Sequence, residues 1–175
     1  MTSGSVDDKL GSEEVLQDYK NRFPLFREYM ELCDDLPIER TCVPETGGIS
    51  MDLQVRFISD RFDTLLNGRD ISTAIGRHES CEGALRKFCG IGVDYQDDPR
   101  GHRLANRAEW NEVAKLFPEM DPDEAWETYD DFVDPQVRKI ERLGVYGSVD
   151  PRMDLYPYEG TDLYEAMQQA QRSKG

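Results

Sequence analysis

The sequence predicts a mainly helical α+β fold, with five or six helices and a β-hairpin or small antiparallel sheet near residues 38–75. Three observations carry this. Apolar residues recur at helical spacing over most of the chain, as in Trp110, Val113, Ala114 and Phe117. Between residues 49 and 57 the period changes to two, with Ile49, Met51, Leu53, Val55 and Phe57 alternating with polar residues. Proline and glycine punctuate the helical runs at the places where helices begin and end.

Residues 1–11 read as a flexible leader. Ser12 caps a first helix that opens with Glu13 and Glu14, two acids placed where the helix dipole favours them. Pro24 interrupts that helix and suits the first turn of a second, which carries Leu25, Phe26, Tyr29, Met30, Leu32 and Cys33. Ile38–Val43 and Ile49–Phe57 read as the strands of a hairpin joined by Pro44–Gly48. Asn67-Gly68 is then either a two-residue hairpin turn or the C-cap of a helix over 59–66.

From His78 a third helical run carries Ala84, Leu85, Phe88 and Cys89 and stops at Gly90. After a polar link over 91–103 comes the Trp110 stripe, closed by Pro118. Asp121-Pro122 opens a helix bearing Ala125, Trp126, Tyr129, Phe132 and Val133, and Asp134-Pro135 repeats the opening signal for a further one. A single globular domain over 12–144 is expected to precede an extended Tyr/Pro-rich segment and a C-terminal helix over 145–175.

The chain has 36 acidic and 21 basic residues among 175, a net charge of -15. That balance argues against direct binding to nucleic-acid phosphates, which needs a basic face. No run approaches the roughly 18 apolar residues of a membrane span. The polar, acidic start lacks a signal or transit pattern, so a cytoplasmic location is the default expectation.

The two histidines fall near two of the four cysteines: His78, Cys81, Cys89 and His102. The donor types suit zinc. On one helix, however, Cys81 and Cys89 stand about 12 Å apart along the axis, so no metal and no other cofactor is expected. Asp94, Asp97 and Asp98 read as loop solvation. No catalytic or phosphate-binding motif of known spacing is present.

Charge is the unusual feature. From Glu119 to Asp134 there are eight acids and no Lys or Arg. Asp121, Asp123 and Glu124 are explained by a helix N-terminus, whereas Glu127, Asp130, Asp131 and Asp134 carry the negative field onward to where the dipole disfavours it. A one-sign face costs self-repulsion and attracts a basic partner over distance. The expected function is therefore a non-enzymatic interaction or assembly module docking on a basic protein surface through Glu127, Asp130, Asp131 and Asp134, with Tyr156 and Tyr158 of the tail. It could serve as a nucleic-acid mimic or as a subunit of a larger viral or cellular complex. The alternative is a small enzyme with a site assembled from separate segments around His78 and His102.

Over Asp121–Gly144, two Asp-Pro helix starts followed by Leu143-Gly144 resemble the end of the internal scaffolding proteins of small single-stranded DNA phages. The resemblance covers 24 of 175 residues, and no residue role is taken from it.

Overall fold

The structure, a computed structural model, describes residues 10–41, 46–91, 99–143 and 150–153, with six further residues between 164 and 172. Within these the named helices are α1 (Glu13–Arg22), α2 (Pro24–Asp34), α3 (Ser72–Phe88), α4 (Pro99–Leu116) and α5 (Pro122–Leu143). The strands are β1 (Ile38–Thr41), β2 (Gly47–Ile49), β3 (Arg56–Ser59), β4 (Leu65–Leu66) and β5 (Arg69–Asp70). The mainly helical α+β expectation holds. No helix among the described residues is long and apolar enough to cross a membrane.

The local signals at the start of the chain act as expected. The Ser12 hydroxyl accepts from the backbone N–H groups of Glu14 and Val15 at 3.2 and 3.4 Å. Pro24 occupies the first turn of α2. Upstream of α1 the chain is already docked: Leu10 is buried, and the Gly11 N–H donates to the Arg103 carbonyl at 2.7 Å.

The sheet differs from the expected hairpin. Its order is β1-β3-β2, with β1 parallel to β3 and β2 antiparallel to it. The alternating run over 49–57 is two strands, folded back through a turn in which Leu53 takes a positive φ of 55°. The Ser50 hydroxyl, accepting from the Gln54 and Val55 N–H groups, stitches that turn. The period-two pattern misleads here because Met51, Asp52, Leu53 and Gln54 form the turn and not a strand. Arg56 is buried within β3. Its guanidinium donates to the carbonyls of Leu36 and Asp34, closing the C-terminal end of α2.

At Asn67-Gly68 the hairpin wins over the helix. Both residues have positive φ, 50° and 79°, as a type I′ turn between β4 and β5 requires. Helix α3 then starts at Ser72, earlier than its apolar stripe suggests. Small residues pack on several of its sides: a side chain at Gly76 would meet the Arg56 guanidinium, and one at Gly83 would meet the Tyr29 hydroxyl. A helix buried most of the way round has no single stripe to read. Likewise α4 begins at Pro99, inside the expected polar link.

Helix α5 runs unbroken through Pro135, where a new helix was expected. Val133 and Ile140 are buried and continue the inward face set by Trp126 and Tyr129. That shared burial outweighs the roughly 3 kcal/mol an interior proline costs.

Two apolar clusters result. One joins Ile58, Phe62, Ile75, Val113, Trp126 and Tyr129. The other joins Leu16, Phe26, Met30, Cys81, Leu85 and Leu104. Helices α3 and α4 contribute to both. Beyond α5, Met153 is buried and bridges to Ser50, while Arg152 pairs with Glu39 at 2.7 Å, so residues 150–153 lie on the sheet.

Candidate functional site

Where α3 and α4 pass from one apolar cluster to the other, the interior turns polar. His78 and Glu82 are one turn apart on α3, and His102 and Glu109 are two turns apart on α4. His78 Nε2 lies 3.3 Å from Glu82 Oε1, and His102 Nδ1 lies 3.2 Å from Glu82 Oε2. On its other side His78 Nδ1 is 2.9 Å from Glu109 Oε1, and the Tyr129 hydroxyl of α5 donates to Glu109 Oε2. The two imidazole rings meet edge to face, their centroids 4.9 Å apart.

Burial sharpens the electrostatics. Loss of water alone would lower the pKa of His78; the charges of Glu82 and Glu109 outweigh that and raise it well above the ordinary imidazole range. For Glu82, burial acts to raise the pKa, but His78 and His102 together hold it below the usual carboxylate range. Burial, with Glu109 beside it, keeps Tyr129 protonated far beyond its ordinary range.

One donor atom from each of His78, Glu82 and His102 lies within 4.8 Å of the other two. Sequence reasoning paired the histidines with cysteines instead. The structure brings His78 and His102 together but leaves Cys81 in the apolar cluster around Phe26 and Leu85, its thiol pKa raised by burial. Cys89 is half-buried, on the edge of the same cluster. Asp94, Asp97 and Asp98 lie outside the described residues. Glu82 and Glu109 were missed. The signal was present in the i,i+4 spacing of His78 and Glu82 and the i,i+7 spacing of His102 and Glu109, each pair on one helix face.

The predicted docking acids lie on the opposite side of α5 from its core. At 100° per residue, Asp123, Glu124, Glu127, Asp130, Asp131 and Asp134 fall within an arc of about 120°. Asp123, Glu124 and Asp131 are exposed; Glu127, Asp130 and Asp134 are half-buried. Cations enter that arc only at its C-terminal end, with Arg138 and Arg142, and Arg138 pairs with Asp134 at 2.9 Å. Two of the eight acids serve the fold. Glu119 pairs with Arg69 at 2.5 Å, and Asp121 accepts from the Asp123 N–H at 3.2 Å as the helix cap. Tyr156 and Tyr158 lie outside the described residues.

A surface cleft of about 360 Å³ lies between α1 and α4, lined by Glu13, Gln17, Lys20, Arg77, Asn111, Glu112 and Lys115 among others. It includes neither histidine and none of the α5 acids. Comparison with family models, with curated proteins and with solved structures finds no match to this chain.

Proposed function

We propose that the chain is a non-enzymatic interaction or assembly module that docks on a basic protein surface through the outer face of α5. The observation that supports it is the arc of Asp123, Glu124, Glu127, Asp130, Asp131 and Asp134, uniformly negative until Arg138. A face built this way steers a cationic partner from a distance and speeds encounter. Carboxylates spaced along one helix edge also suit the phosphate-binding groove of a nucleic-acid-binding protein, the mimic form of the proposal. A subunit role in a larger complex uses the same face. Tyr156 and Tyr158 belong to the docking surface on sequence grounds.

The experiment is charge reversal of Asp130→Lys with Asp131→Lys, followed by binding kinetics across a salt series against partners captured from the native source. Slower association in the variant, and weaker parent binding as salt rises, are expected. For the mimic form, DNA should compete for the same partner while the protein itself binds none. Association indifferent to salt and to reversal removes the proposal.

A second reading, a small enzyme around His78 and His102, has in its favour that the two imidazoles meet over Glu82. It would need a substrate cleft beside them, and the cleft between α1 and α4 is lined by neither.

A further inference from the structure

We propose that His78, Glu82 and His102 form a binding site for one divalent first-row transition-metal ion, with Glu109 as the carboxylate that orients His78. This is independent of the α5 docking surface. It also replaces the expectation of no metal, which rested on the divergence of Cys81 and Cys89.

Donor chemistry selects the class of ion. Two imidazole nitrogens and a carboxylate suit zinc, iron(II), cobalt or nickel, and are a poor set for magnesium or calcium, which take oxygen. Geometry supplies the gathering. Metal–nitrogen bonds of about 2.0–2.1 Å put neighbouring donors roughly 3.3 Å apart in a tetrahedral site. His78 Nε2 and His102 Nδ1 already stand 3.3 and 3.2 Å from the two Glu82 oxygens, and one donor atom from each residue lies within 4.8 Å of the other two. Small side-chain rotations close the set around an ion.

The surroundings have the form that supports a ligating histidine. A metal-bound imidazole commonly gives its second N–H to a carboxylate, which sets the tautomer and the ring plane. Here Glu109 stands 2.9 Å from Nδ1 of His78, close but off the line of a hydrogen bond, so a small turn of the ring completes the pair and leaves Nε2 for the ion; Tyr129 holds the other Glu109 oxygen. Charge balances as well. Two largely buried carboxylates, Glu82 and Glu109, supply two negative charges beside one divalent ion. The His102 side chain is 30% exposed, against 13% and 17% for His78 and Glu82, so an ion enters from the His102 side and keeps a coordination position facing solvent.

The test uses the full chain, stripped with chelator and dialysed. Cobalt(II) is titrated in with visible absorption as the readout, and zinc is then added to displace it, with calorimetry for stoichiometry. One ion per chain is expected, micromolar or tighter, undisturbed by millimolar magnesium. Zinc should also raise the thermal midpoint, since an ion that binds only the folded state stabilises it. Glu109→Gln should weaken binding by about 10–100-fold, as loss of an orienting partner does. His102→Ala should weaken it at least as much; this partly exposed position keeps the test decisive if Glu82→Gln disturbs the fold by circular dichroism. Absence of binding with zinc in large excess overturns the proposal. So does stoichiometric binding that His102→Ala leaves unchanged, which would place the ion elsewhere.

Discussion

Glu109 and Asp131 are both acids on long amphipathic helices, and the molecule uses them in opposite ways. Glu109 is 7% exposed, and its two oxygens meet His78 and Tyr129. Asp131 is exposed on the outer arc of α5. The difference is solvent. A desolvated carboxylate must be matched by its surroundings or it neutralises, so its neighbours are specified and its removal strands them. An exposed carboxylate is matched by water, so its position is free for selection by something outside the molecule. Polar groups between α3 and α4 are therefore tied to one another, whereas those on α5 accumulate one sign of charge.

The largest expected effect breaks the buried side of this comparison. Glu109→Ala should lower unfolding stability by about 3–5 kcal/mol in urea melts, the scale for removing one partner of a buried ion pair. Asp131→Ala should fall within about 0.5 kcal/mol of the parent. Equal losses at the two sites would erase the distinction. An apolar truncation on the partner helix sets the scale: Trp126→Ala should also cost about 3–5 kcal/mol. Trp110→Ala should cost less, because Trp110 is half-buried beneath the Arg107 guanidinium. A larger loss at Trp110 than at Trp126 would mean that the weight of the core lies on α4, away from α5.

Tyr129→Phe is a finer cut. It keeps the ring in the core and removes only the donor to Glu109 Oε2, so a loss of about 1–3 kcal/mol is expected. A neutral outcome would show that the Glu109–His78 contact alone satisfies the carboxylate. Smallest of all, Asp130→Lys with Asp131→Lys should change stability by about 0.5 kcal/mol or less per substitution. A large stabilisation would mean that self-repulsion along α5 is a real burden on the fold.

Legibility in the sequence followed the same divide. Caps and helix starts were readable because their chemistry is local: Ser12, Pro24 and Asp121 each act within a turn of themselves, whereas Gly68 suited a hairpin turn and a helix cap equally. The acidic face of α5 was readable because exposure leaves its pattern intact. Helix α3 was half-legible, since burial on several sides removes the stripe that marks a helix start. The sheet order was not, because β1 pairs with β3 through contacts some 18 residues apart in sequence, Ile38 with Arg56, which no local pattern encodes. For the His–Glu cluster the spacings were visible, but the reading followed cysteine as the expected metal ligand. A lone Glu in a helix is by default a surface charge, and only the packing of α3 against α4 turns Glu82 and Glu109 into interior groups.

Pro135 has a further consequence for the outer face of α5. Proline has no N–H, so the carbonyl of Asp131 loses the intrahelical donor that every ordinary residue four positions on would supply. That carbonyl stands beside Asp130, Asp131 and Asp134, on the arc already lined with carboxylates. The ladder of α5 is thus one hydrogen bond short at that point, where the proline ring crowds the same carbonyl. Pro135→Ala, which restores the internal hydrogen bond, should therefore stabilise α5 while leaving every carboxylate where it is.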